Sequence, residues 1–443
     1  MDKNNGAIYD ARKLGKPKMI ILGVQHMFAM FGATILVPIL TGLDISTTLL
    51  MAGLGTLLFH CITKFKVPAF LGSSFAFLGG YAAIKAFSPN DPNSMLPYAC
   101  LGVACAGLIY FILAAVIKAV GIEKVMRFFP PVVTGPIIIA IGLGLAPSAV
   151  SNCTTNWFLA VVALAVIVVF NIWGKGMAKI IPIILGLLIS YGTGLVLYFI
   201  SQANPDLIQN VPWLFSGGAD ANGVYQPIFD FTSLNTICDN ISKGHIFGSE
   251  GLIGIPIHWD QTVFGGIDYS NGALIASSII AIVPIAFATM MEHIGDICAI
   301  SSTTGNNYIK DPGLHRTLVG DGLATTLASL FGGPANTTYG ENTGVLALTR
   351  VYDPRVIRIA AYFAVAVSFF PIVSVIIGSI PSCIIGGISF VLYGMISAIG
   401  VRNVVENKVD FTKSRNLIVA AVILVCALGL SCLLYTSDAA DEL

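Results

Sequence analysis

The chain has 443 residues, of which 56% are hydrophobic and only 10% charged, and its formal net charge is zero; its mean hydropathy is +0.84. A soluble domain carries about 25% charged residues, so an ordinary cytosolic globule is excluded. The basic residues are scattered in ones to fours, which excludes the clustered footprint of a nucleic-acid-binding protein.

Apolar blocks of roughly 17 to 25 residues, the length that crosses about 30 Å of hydrocarbon as helix, recur along the chain. In order they predict spans near 19–42, 46–63, 68–84, 96–119, 130–147, 157–173, 180–200, 273–298, 317–333, 336–349, 357–379, 382–400 and 416–434, thirteen in all. The first block is long enough to span and lacks a small-residue cleavage site, so it reads as a transmembrane helix rather than a leader.

Charge tests this order. With Arg12, Lys13, Lys16 and Lys18 in the cytoplasm, every second loop should be basic, and each is: Lys64 and Lys66; Lys118, Lys124 and Arg127; Lys175 and Lys179; Lys310 and Arg316; Arg350, Arg355 and Arg358; Arg402, Lys408, Lys413 and Arg415. The longest opposite loop, 201–272, holds six aspartates and a glutamate against a single Lys243. A solvated, partly ordered cap is expected there. Most of the nine cysteines lie in apolar runs without metal-ligand spacing, so no metal or cofactor is expected. Cys153 and Cys238 fall in segments read as outer loops, where a disulfide is an option.

Two spans are poor continuous helices. The third contains Pro68, Gly72, Ser73, Ser74, Gly79 and Gly80, and the tenth is interrupted by Gly340, Asn342 and Gly344. Irregular backbone at membrane depth survives only where it is buried in protein or lines a cavity. A matched pair of such spans marks a secondary transporter's binding site. Ser73-Ser74-Phe75-Ala76 aligns with Thr337-Thr338-Tyr339-Gly340, and the two spans run in opposite directions, as an inverted repeat of seven plus seven requires. That repeat needs fourteen spans. After Leu434 comes a short acidic tail, 435–443, which reads as non-native, with the fourteenth span missing.

Ionisable groups inside spans are costly and usually functional. In the eighth span Glu292 and Asp296, four apart, share one helix face; the bland alternative is a solvated helix end. In the tenth, Glu341 directly follows the Tyr339-Gly340 pair, where a carboxylate can also serve as a helix N-terminal charge.

The run Glu341-Asn342-Thr343-Gly344, followed at Thr349-Arg350, resembles the signature of the nucleobase-ascorbate transporter (nucleobase:cation symporter) family. Segments 25–34, Leu71 to Phe77, Asp311 to Arg316 and Asn336 to Glu341 also resemble its uracil-type members, and the similarity extends over about 19–431. The resemblance implies an all-α fold with short strands in spans 3 and 10. It also implies a core domain of spans 1–4 (19–119) and 8–11 (273–379), and a gate domain of spans 5–7 (130–200) and 12–13 (382–434), after a cytoplasmic segment 1–18. Uracil import by proton symport across the bacterial inner membrane is the implied activity, with homodimers joined through the gate domains and no enzymatic role.

Glu292 and Glu341 would then bind the base, with Ala33 and Ser74 of the matching motifs beside it. Uracil's two N–H groups suit carboxylates, and its carbonyls suit backbone amides at Phe75 and Gly340. Phe75, Tyr339 and Tyr393 offer faces to the flat ring. Glu292 is the first candidate for proton coupling, with Asp296 and His26 next. Asp296 departs from the uracil-type pattern, since such a member has His there whereas purine carriers have Asp. A purine or xanthine symporter therefore stays open as an alternative; an anion exchanger of the same fold is a more distant one, against which the two acidic residues argue.

Overall fold

The computed structural model describes residues 7–121, 124, 130–179, 181–220 and 222–440, with the side chains of Ala33, Glu341 and 430–440 outside that description. After α1 (Lys16–Thr41), which ends on the left-handed Gly42, comes α2 (Ile45–Ile62), capped by Asp44, whose carboxylate accepts the Thr47 amide at 2.6 Å. The third apolar segment is not one helix. It passes through β1 (Leu71–Ser73) and a 3-10 turn (Phe75–Phe77) into α3 (Leu78–Lys85), and α4 (Leu96–Val120) follows.

Helices α5 (Pro131–Gly144), α6 (Ala146–Cys153), α7 (Trp157–Trp173) and α8 (Pro182–Ala203) lead to a segment that the sequence reads as one loop. It is built of short elements, among them a hairpin of β2 (Ser216–Ala219) with β3 (Tyr225–Pro227) and the helix α9 (Thr232–Ser242). Cys153 ends α6 and Cys238 lies within α9; both are free thiols, so the optional disulfide does not form.

The eighth apolar segment is α10 (Gly272–Ile282) and α11 (Ile285–Thr304), divided at Pro284. Then come α12 (Leu314–Leu330), β4 (Asn336–Thr338), α13 (Glu341–Thr349), α14 (Pro354–Ser368), α15 (Pro371–Gly378), α16 (Ser382–Glu406) and α17 (Ser414–Ala440). Among the described residues seven helical segments are long and apolar enough to cross a membrane, or eight if α14 and α15, bent by 87°, count as one. The other apolar blocks are carried by shorter or broken elements. Large apolar side chains such as Ile112 on α4 and Phe199 on α8 are 61% and 65% exposed, the reverse of a soluble protein's surface.

The chain forms two compact units. The first comprises 1–120, 171–184 and 230–379, and packs α12 against α2 and α4, and α14 against α1 and α2. Close approach rests on small residues: a Cβ at Gly107 would lie 2.7 Å from the Gly322 carbonyl, and one at Gly322 would lie 2.6 Å from that of Gly107. Its core is mainly aliphatic, and Phe59, Phe70, Phe77, Tyr81 and Tyr110 are its largest fully buried side chains. The second unit comprises 121–170, 185–229 and 380–443. Here α16 packs on α5 and α6, with Gly142 against the Tyr393 carbonyl and Gly400 against that of Gly135. Asn156 holds the β2 end of the hairpin by donating to the Ser216 carbonyl at 2.9 Å.

Candidate functional site

In the first unit the two interrupted spans meet. β1 and β4 pair antiparallel, Leu71 opposite Thr338, Gly72 opposite Thr337 and Ser73 opposite Asn336, as the resemblance implies. The pairing extends outward, with the Ser74 amide donating to Ala335 O at 2.9 Å and the Tyr339 amide to Phe70 O at 3.0 Å.

A two-stranded ladder in a membrane leaves its outer backbone groups without water, which costs several kcal/mol per unpaired group. Side chains take them up. On the β1 edge, the Thr56 hydroxyl of α2 accepts the Leu71 amide at 2.9 Å and donates to the Leu71 carbonyl at 3.2 Å. On the β4 edge, α12 supplies Thr325, which donates to Asn336 O at 2.9 Å, and Asp321, which accepts the Thr338 amide at 2.9 Å. The Asn336 side chain donates to Met51 O at 2.8 Å, lying against Gly55, where a Cβ would collide with its nitrogen.

Tyr339 serves the same scaffold. Its ring lies on Gly72, where a Cβ would be 2.5 Å from the ring edge, and its hydroxyl donates to Ser73 O at 2.8 Å. Ser73 in turn donates to Thr34 O of α1 at 3.0 Å. Glycine at 72 is thus required by contact.

The 3-10 turn after β1 and α13 after β4 begin at opposite ends of the pair, and α11 packs against both as well as against β4. The Phe75 and Gly340 amides stand at these helix starts, where N–H groups have no intrahelical acceptor. Phe75 is half-buried and Gly340 exposed. On α11, Glu292 is exposed, lying about 18 Å along the axis from the helix end at Thr304. It therefore does not sit in the helix's last turn, as a solvated helix end would require.

Asp296 is half-buried and accepts the Thr338 hydroxyl at 3.3 Å. Its other oxygen is 3.0 Å from where a Cβ on Gly340 would stand. Between them, His293 places Nδ1 3.1 Å from Thr338 Oγ1 and 3.4 Å from Asp321 Oδ1, with both side chains of the His–Asp pair fully buried. A threonine hydroxyl has one proton to give. When that proton goes to Asp296, Thr338 Oγ1 faces His293 Nδ1 as an acceptor. Tyr110, which donates to Thr289 Oγ1 at 2.7 Å, lies within electrostatic reach of both Asp321 and Glu292.

The structure thus brings Ser74, Phe75, Tyr339, Gly340, Glu292 and Asp296 to elements that pack together. Ala33 lies within α1 next to Thr34, and Glu341 is the first residue of α13; their side chains lie outside the described residues. His26 is buried on α1 and pairs with Asn342 Oδ1 at 3.4 Å. Tyr393 belongs to the second unit, where it is buried on α16.

The sequence reading passes over Asp321. Its signal was present: an acid in the apolar run 317–333 is the same kind of observation that singled out Glu292.

Interrupted spans joined by a strand pair, with ionisable groups beside them, define a multi-pass membrane transporter of the seven-plus-seven inverted-repeat fold. Solved structures of that fold align with nearly the whole chain. The transmembrane domain of the cyanobacterial bicarbonate transporter BicA covers 96% of it, and the match covers 98% of that domain, with a TM-score of 0.64 at 12% identity. SLC26A9 covers 95%, the match taking in 62% of that chain, with a TM-score of 0.51 at 11% identity.

Within that fold, the chain belongs to the Xan_ur_permease family, a permease family whose model matches residues 17–435. It is 39% identical to the uracil permease of Bacillus caldolyticus, over 93% of this chain and 85% of that one. It is 38% identical to the uracil permease of Bacillus subtilis, over the same shares, and 36% identical to a probable uracil permease of Haemophilus influenzae, over 95% and 89%.

Proposed function

We propose that the chain imports uracil by proton symport across a bacterial inner membrane, with its N-terminus in the cytoplasm. The observation that carries this reading is the strand pair with α11 packed along it. It sets two helix-start amides and two acidic residues of a span on one packed assembly, which suits a small planar solute with both donors and acceptors. Similarity to curated uracil permeases supports the choice of base.

In this reading Glu292 and Glu341 accept the two ring N–H groups, and the Phe75 and Gly340 amides donate to the carbonyls. Ala33 and Ser74 border the base, and Phe75 lies on its face. Tyr339 acts by holding β1, since its ring and hydroxyl are engaged with Gly72 and Ser73. Glu292 takes up the coupling proton, and Asp296 and His26 are the next candidates for that role. The first unit moves as the core and the second forms the gate, through which two copies associate within the lipid.

The test is uptake of radiolabelled uracil by proteoliposomes with an imposed pH gradient, with xanthine as competitor. Concentrative uptake that collapses with the gradient and resists xanthine is expected. Uptake of xanthine in place of uracil, or indifference to the gradient, would overturn the reading.

A further inference from the structure

Helices α11 and α13 both have C-terminal ends that are tied down by the same short segment ahead of the first span. The last carbonyls of a helix have no intrahelical donor. At α11, the Tyr9 hydroxyl supplies one to Thr304 O at 2.7 Å. At α13, the Ile8 amide donates to Arg350 O at 2.8 Å, and Ile8 O accepts the Tyr352 amide at 2.8 Å, forming a parallel bridge between Ile8 and Val351.

The segment is held along its length. The Tyr9 and Tyr352 rings are 5.5 Å apart. The Ala11 amide donates to Asp353 Oδ2 at 2.7 Å, and Arg355 bridges Asp10 and Asp353 at 3.0 and 3.2 Å. Ala11 is fully buried with Val351 and Val356, and Ile8 and Leu14 pack against them.

We propose that residues 8–11 are a positioning strap, which caps α11 and α13 together and so fixes the distance between the acidic residues those helices carry. The lever is short. Glu341 begins a nine-residue helix, about 13 Å long, and the strap holds its far end. A loose strap would let α13 tilt against α11, and a ligand held by both would lose affinity. The consequence for a nucleobase rests on the proposed function; the mechanical claim does not.

The test uses Ile8→Pro, which removes the amide that meets Arg350 O, and Tyr9→Phe, which removes the hydroxyl that meets Thr304 O, beside the intact chain. Hydrogen exchange should rise at 349–352 in the first variant and at 301–304 in the second. In both it should also rise at 289–296 or 340–346, while α2 and α12 stay unchanged. Uracil binding to the purified protein should weaken at least about fivefold.

Exchange that rises only at the capped ends, with unchanged uracil affinity, would reduce the strap to a local cap and overturn the proposal. So would unchanged exchange everywhere. An intact chain that binds no uracil would sink the functional reading alone, and exchange at 289–296 and 340–346 would still decide for or against the strap.

Discussion

The carboxylate of Asp321 and the amide of Thr338 are 2.9 Å apart, and this contact ties a buried acid of one span to the backbone of the strand that interrupts another. The same carboxylate faces His293 Nδ1 at 3.4 Å. Asp321→Ala would leave the Thr338 amide without its acceptor, while His293 keeps its contact with Thr338 Oγ1; one buried donor left short costs about 1–3 kcal/mol, which should lower the thermal unfolding midpoint in detergent. Asp321→Asn keeps an acceptor for the amide but removes the charge facing the imidazole. It should fold, yet take up uracil at least about tenfold more slowly. Normal uptake in both variants would remove Asp321 from the site.

Gly72→Ala introduces a methyl group 2.5 Å from the Tyr339 ring and 2.8 Å from Thr34 Oγ1. The ring must then leave β1, breaking the bond to Ser73 O. We expect uracil binding to fall by about tenfold or more. Gly79→Ala in the same broken span, with nothing within 4 Å of the added atom, should bind as the parent does. Equal affinities in the two variants would contradict the packing role assigned to Tyr339.

Glu341→Gln replaces an acceptor-only carboxylate with an amide that also presents donors. Loss of one charge-assisted hydrogen bond is worth about 1.5–3 kcal/mol. Titration calorimetry should therefore show uracil affinity reduced by about one to two orders of magnitude. An unchanged dissociation constant would exclude Glu341 from contact with the base.

Glu292→Gln should abolish accumulation driven by a pH gradient while leaving residual exchange of uracil without pH dependence. Uptake measured from pH 5 to 8 in parent and variant separates this from the alternative. Superimposable profiles would place the proton site elsewhere, with Asp296 and His26 next in line.

The strap should add nothing to that profile. The hydrogen bond from Arg12 holds the Asp10 carboxyl well below the usual carboxylate range. A depressed folded-state pKa gives stability that is complete above the unfolded value of about 3.9 and is lost only as pH falls below it. Asp10→Asn should therefore loosen the segment at every pH from 5 to 8 alike, read as faster exchange at residues 8–11. A change confined to pH 5 would refute this.

Much of the fold was legible because bilayer physics writes itself into composition and into the alternation of basic loops. The meeting of the broken spans could be anticipated from the likeness of Ser73-Ser74-Phe75-Ala76 to Thr337-Thr338-Tyr339-Gly340 and from the family resemblance, and the register of β1 with β4 accords with it. Asp321 escaped notice because its partners, the Thr338 amide and His293, come from other elements, and no local pattern announces a backbone acceptor. The strap escaped for a related reason. Residues 8–11 are few, and their contacts reach more than three hundred positions along the chain, to 350–355.

The edges of the strand pair also restrict how anything can be recognised here. With Thr56 and the Tyr339 hydroxyl on one side and Asp321 and Thr325 on the other, an extended peptide finds no open edge along which to add itself by backbone pairing. The main-chain donors without an intrahelical acceptor stand where the chain leaves the strands and winds into helix, at Phe75 and Gly340. Donors placed so are isolated instead of forming a repeating ladder, an arrangement matched to a compact solute with a fixed pattern of acceptors and not to an extended chain.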